Sequence, residues 1–342
     1  MNGRERIETV LKGNWPDQRP VMIHNFMMAA RQAGMTMAQY RSDPKMIAQA
    51  HIQAVEKYDL DGVLIDIDTC TTAGALGAPV DLPETEAART KGPHPAMTSL
   101  DAVADLPAPD LASDQRVQIW VEACRLLKDY FGDEILVRGN CDQLPFSVAS
   151  MLRGTTEWMM DLINPDSDEK VFALLEYCTE ACRQFVTLMA GAGVHMISHG
   201  DSPAGPDMIS PDMYVKYALP YEKKIVDLSH QLGKHYLLHI CGNTSAILDK
   251  MIETGADVLE IDYKTDVSLM RRVCGDCITV SGSLNPSGAL LNGRPEDVAK
   301  EVQALLEVYG DSPRLIACSG CALPPDTPSE NINAFVKAAR DS

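Results

Sequence analysis

The sequence predicts a single α/β domain of the (β/α)8, TIM-barrel class, spanning residues 1–342. Three observations carry this. Eight short apolar runs rich in β-branched residues alternate with amphipathic stretches, as a parallel sheet with helical crossovers requires. Polar residues collect at the C-terminal ends of those runs, where barrel proteins of this class build their sites. The length of 342 residues suits one large barrel as well as it would two domains, and the regular alternation shows no break between domains.

The runs follow in order. "PVMIHNF" (20–26) ends in His24 and Asn25, and "GVLIDID" (62–68) in Asp66 and Asp68. "EILVRGN" (134–140) ends in Asn140, with Asp142 just beyond, and "HMISHGD" (195–201) in His199 and Asp201. "HYLLHIC" (235–241) carries His239 and Cys241, and "DVLEIDY" (257–263) carries Asp262 and Tyr263. "CITVSGS" (277–283) leads to Ser283 and Asn285, and "PRLIACSG" (313–320) carries Cys318 and is followed by Cys321. Helices are expected over 43–58, 113–131, 167–193, 211–233, 244–256, 267–276 and 295–310. Several open on Ser, Thr, Asp or Pro and close on Gly. Residues 69–112, rich in Pro, Ala and Thr, read as a long loop after the second strand that covers the site.

Composition narrows the function classes. The 30 Lys and Arg against 48 Asp and Glu give a net charge of −18, a field that repels phosphate backbones, so no nucleic-acid partner is expected. Ten cysteines scattered among 17 methionines read as a reducing compartment and not as a disulfide framework. The opening "MNGRERIETVLKGNWPD" has no signal-peptide core, and no run of about eighteen apolar residues follows. The expectation is a cytoplasmic protein with no membrane partner.

The sharpest local signal is H-x-C at 239 and 241. Alternation along a strand sends both side chains to one face, toward the barrel axis. Cys318 and Cys321 bring soft donors to the same rim. One imidazole and two thiolates suit Zn²⁺ and leave one coordination position open. C-x-x-C also fits a redox pair, although "ALPPDTP" follows where a helix would begin, and buried cysteines are often inert. On spacing alone all three readings stand.

At these residues the chain resembles the uroporphyrinogen decarboxylase superfamily over nearly its whole length. The landmarks are "RERIETVLKG", "RPV", "RQAG" (31–34), "SPDMYVKYALPYEKKIV" and "PPDTPSENINAFV". The tetrapyrrole decarboxylases of that superfamily carry a second Arg after "RQAG", a Tyr in a W-T-x-x-x-Y segment and a C-terminal G-H-G. Here those places hold Met35, Ser150 and Ser319-Gly320-Cys321. "HICGNT" and the Cys before "ALPPDTP" instead match the branch of zinc methyltransferases that work with a corrinoid protein. The resemblance implies Zn²⁺ on His239, Cys241 and Cys321, with Cys318 as the competing third donor. It also implies a corrinoid (methylcobalamin or cob(I)alamin) supplied by a partner protein, and a small methyl donor or thiol acceptor. Asp201, His199 and Asp66 are the candidate proton donors by strand-end placement. Asn25, Arg31, Asn140, Tyr263 and Ser283 are candidate substrate contacts. A tetrapyrrole decarboxylase and a non-catalytic corrinoid- or tetrapyrrole-binding protein are the alternative readings.

Overall fold

The computed structural model describes residues 1–341 and contains seven parallel strands curled side by side, flanked by helices. In chain order they are β1 (Gly62–Ile65), β4 (Leu136–Gln143), β5 (Met196–Gly200), β6 (His235–Ile240), β7 (Val258–Ile261), β8 (Thr279–Ser283) and β9 (Leu315–Cys318). Between the first two lies a small antiparallel ribbon, β2 (Val80–Asp81) with β3 (Arg89–Thr90). Neighbours in the sheet are neighbours in sequence, as βαβ units require.

The expected first strand at 20–26 is not regular. Only Val21 bridges, in parallel to Ala317. Ala317 N donates to Pro20 O and Met22 N to Ala317 O, which ties this segment to β9. On the other side Val21 O accepts from Asp61 N, but the Val21 amide donates to the Asp61 side chain at 2.8 Å instead of to a strand. Pro20 has no amide to donate, and a helix begins at Phe26 (Phe26–Gln32). The segment fills the eighth staves' place and leaves as a helix before a ladder can form.

The interior is layered by alternation. At the strand starts the inward residues are apolar: Met22, Leu136, Met196, Leu237, Val258 and Ile316 cluster with Ile7 and Val10 of the helix Gly3–Leu11, which plugs the bottom. Two residues further along, the inward positions are Arg138, Ser198, His239 and Glu260, all buried. Outward residues such as Val63, Val137, Ile197, Leu238, Leu259 and Val280 pack against the helices in the main core. Both faces are therefore buried, so the strands read as nearly continuous apolar runs. The few polar residues set into those runs mark the upper interior.

Residues 69–112 are an ordered excursion and not a plain loop: a helix Thr71–Ala75, the β2–β3 ribbon, and 3₁₀ turns at Leu100–Asp105 and Leu111–Ser113. Helices Pro145–Arg153 and Thr155–Ile163 after β4 were not expected from the periodicity. The stretch expected as one helix over 211–233 is two, Pro211–Tyr217 and Leu219–Gln231, broken just before Pro220. Among the described residues no helix is long and apolar enough to cross a membrane.

Candidate metal centre and its cavity

Alternation along β6 points His239 inward, and the chain turns immediately beyond it. Gly242, at φ 91°, makes that turn in a region closed to most side chains. Cys241 is held there by its amide, which donates to Ser202 Oγ at 3.3 Å, while the Gly242 amide donates to Asp262 Oδ2 at 2.8 Å. After β9 a second left-handed glycine, Gly320 (φ 68°), swings Cys321 back toward β6, and Ser319 Oγ donates to the Cys321 carbonyl at 2.7 Å.

The result is a three-donor cluster. His239 Nε2 lies 2.9 Å from Cys241 Sγ, and Cys241 Sγ lies 3.6 Å from Cys321 Sγ. The three ligand-type atoms all fall within 4.8 Å of one another. Tetrahedral zinc with bonds of about 2.3 Å to sulfur would separate two thiolates by about 3.8 Å, so the sulfur pair is already spaced for it. His239 Nδ1 donates to the Glu260 carbonyl at 3.0 Å, which leaves Nε2 facing the sulfurs. That is the second-shell arrangement metal-binding histidines use. Cys318 is buried and stands outside this cluster, its thiol pushed up to about 11 by burial.

Electrostatics favour anionic sulfur at this place. The Cys241 thiol is held far down, to about 3, first by the hydrogen bond from Cys321 and then by the neighbouring imidazole. The same contact pushes Cys321 upward, so the two sulfurs hold one proton between them. Burial pulls His239 toward its neutral form, but the Cys241 thiolate and Glu260 outweigh it and raise the ring to about 10. A cation arriving here would displace those protons.

Below the cluster lies a buried ionic network that the sequence reading did not assemble. Burial pushes the Glu260 carboxyl up, yet Arg138 first, then His24 and His239, hold it well below the usual range. Arg138 Nη1 pairs with Glu260 Oε2, and its Nε donates to Ser198 Oγ at 2.8 Å. His24 lies with Nδ1 3.4 Å from Glu260 Oε1 and Nε2 2.8 Å from Asp66 Oδ2. Burial opposes its charge, but the two carboxylates raise it above the ordinary imidazole value. The signal was present in "LVRGN" and "VLEID": one charged residue at an inward position of an otherwise apolar strand.

These groups line a cavity of about 240 Å³ whose walls include His24, Asp66, Asn140, His199, Glu260 and the three-donor cluster. The expected site residues divide accordingly. Asp66 and Asn140 join the cluster; His199 borders the same cavity, but it shares the outward parity of Ile197 and its ring stacks on Tyr236. His199 is neutral, its ring lowered to about 3 by burial; Nδ1 is 2.9 Å from the Tyr236 hydroxyl and Nε2 is buried without a partner among the described residues. Asp201 does not line the cavity. Alternation from Gly200 sends it outward, where Oδ1 accepts from the Ser147 amide (2.9 Å) and hydroxyl, beside buried Glu222. Burial raises Asp201 to about 6, a perturbation with a packing cause and no access to the site.

The remaining expected contacts also lie elsewhere. Asn25 is buried at the start of the Phe26–Gln32 helix. Arg31 is exposed and pairs with Asp326 at 2.9 Å. Tyr263 and Ser283 border a separate recess with Val267 and Glu301. Strand-end position alone did not separate inward from outward side chains; one-residue parity does.

Comparison with known proteins places the chain in a family and matches its fold. The profile of the family described as "Uroporphyrinogen decarboxylase (URO-D)" matches residues 2–342. A protein of Methanosarcina acetivorans named methylcobamide:CoM methyltransferase MtbA is 33% identical over 229 residues, 67% of this chain and 65% of that protein's length. The chain is thus aligned to somewhat less than two thirds of that relative. The Methanosarcina barkeri methylcobamide:CoM methyltransferase MtaA is 26% identical over 345 residues, covering 99% of this chain and 97% of its own. A solved structure titled "methyltransferase from Methanosarcina mazei" superposes with a TM-score of 0.88 at 23% identity, covering 99% of this chain and 98% of the other, and so shares the barrel. With the family profile matched from residue 2 to the C-terminus, the chain belongs to the uroporphyrinogen decarboxylase family.

Proposed function

We propose that this protein is a zinc-dependent methyltransferase that moves a methyl group between a small thiol or methylated substrate and the cobalt of a corrinoid carried by a partner protein. The observation that carries the reading is the soft set His239, Cys241 and Cys321 facing the cavity, with Nδ1 of His239 committed to the Glu260 carbonyl. The names of the relatives, which pair a methylcobamide with coenzyme M, support the same chemistry.

Bound at these three side chains, zinc would supply the Lewis acidity that makes a thiol anionic at neutral pH. The chain's own residues do the rest. Glu260, fixed by Arg138, holds the His239 ring in place from behind. The walls restrict a substrate sulfur or oxygen to an approach from the mouth, the positioning that an in-line displacement needs. For a methyl ether donor, the His24–Asp66 pair is the proton source within the cavity, a role Asp201 cannot reach.

A tetrapyrrole decarboxylase is the weaker reading. About 240 Å³ is below the roughly 300–1,000 Å³ of pockets for drug-sized ligands. Asp66, Asp68 and Glu260 would also face a substrate carrying many carboxylates. Ten free cysteines support a cytoplasmic setting.

The test is to incubate zinc-loaded protein with free methylcobalamin and 2-mercaptoethanesulfonate and to follow the cobalamin spectrum and thioether formation. Methyl transfer that depends on zinc is expected. Transfer unaffected by stripping the metal would overturn the proposal.

A further inference from the structure

A second cavity, of about 410 Å³, opens on the other side of the β1 exit, lined by Arg41, Arg116, Gln115, Ile67, Leu82 and Ile119 among others. Its two guanidiniums are unequally satisfied. Arg116 Nη2 pairs with Asp68 at 2.7 Å, and its Nε and Nη1 make no hydrogen bond among the described residues. Among the described residues Arg41 forms no ion pair and donates to the backbone carbonyls of Pro83 and Glu86, in the turn between β2 and β3. In a chain with 18 more acidic than basic side chains, a half-buried arginine left without a carboxylate is a charge held in reserve. Burial lowers Arg41 first; Asp68 and, more weakly, Glu84 partly restore it, and Arg116 is near enough to repel it.

We propose that this cavity binds a small organic carboxylate with an apolar body. The lining carries two forked guanidiniums and no carboxylate, with Asp68 and Glu84 set back from it, a seat for a planar oxyanion that arginine grips in bidentate fashion. Ile67, Ile119 and Leu82 supply apolar contact for the rest of the ligand, as small-molecule sites commonly do. Asp68 stands between the two cavities, pairing with Arg116 on one side and lining the zinc-type cavity on the other. A carboxylate bound at Arg116 would therefore act on a residue of the neighbouring cavity wall.

Titration calorimetry of the full chain with benzoate tests this without reading metal or activity. Wild type is expected to bind with a Kd on the order of 1 mM or tighter, weakening as salt is added. Arg41→Gln should weaken binding at least about tenfold. Because Arg41 also anchors the β2–β3 turn, Ala38→Glu is the second variant: it keeps that anchor and puts a built-in carboxylate into the cavity wall. It too should weaken benzoate at least about tenfold. No benzoate binding by wild type, or unchanged affinity in either variant, would overturn the proposal.

Discussion

Cys241→Ala is expected to reduce bound zinc from about one per chain to below about a tenth, and methyl transfer by at least ~10³-fold. Cys241 is the central donor, 2.9 Å from His239 Nε2 and 3.6 Å from Cys321 Sγ, so its loss leaves two donors with no shared neighbour. Cys321→Ala should behave alike. Cys318→Ala should keep both metal and activity, since that thiol is buried outside the cluster. The three variants, measured by metal analysis and by the methylcobalamin assay, separate the two candidate third donors. Loss of zinc from Cys318→Ala with retention by Cys321→Ala would reverse the assignment.

Arg138→Met is expected to cost about 3–5 kcal/mol of stability, because it leaves Glu260 buried without its main counter-charge. Both side chains are almost wholly inaccessible. Methionine replaces the aliphatic stem, so the loss is electrostatic more than volumetric. Adding Glu260→Gln should recover most of it, since no ionised group is then stranded. The pH dependence has a definite sign. In the wild type the folded-state Glu260 lies below its unfolded value, so its contribution is present above the unfolded pKa and is lost as pH falls through the folded one. Without Arg138 burial pushes the same carboxyl up, and acidification then relieves the variant. The gap between the two proteins should narrow from about pH 7 toward about pH 4. Denaturant unfolding at the two pH values measures it; a gap that widens on acidification would refute the network.

Much of the barrel was legible because its strands are buried on both faces and its helices are amphipathic, so two different periodicities alternate along the chain. The first stave was not. "PVMIHNF" has the composition of a strand, but Pro20 offers no amide and the Asp61 side chain takes the amide of Val21. Helices Pro145–Arg153 and Thr155–Ile163 escaped because they lie in residues 141–166, between the strand expected at 134–140 and the helix expected at 167–193, where the periodicity suggested no element. At the site, H-x-C was readable since both residues share one strand's parity. Asp201 was misplaced because parity was not applied beyond the strand end, where Gly200 is inward and its neighbour outward. Glu260 and Arg138 went unassigned because each is a lone charge within an apolar run. They meet only across the barrel interior, where Arg138 of β4 reaches Glu260 of β7, a contact between strands that are not neighbours in the sheet.

The most direct measurement is the zinc-edge X-ray absorption of the purified protein before and after addition of 2-mercaptoethanesulfonate. A metal held by His239, Cys241 and Cys321 should show two sulfur scatterers at about 2.3 Å and one imidazole nitrogen at about 2.0–2.1 Å, and a third sulfur should appear when the thiol is added. A first shell that lacks two sulfurs, or one that the thiol leaves unchanged, would contradict the assignment of this cluster as the site where the thiol is activated.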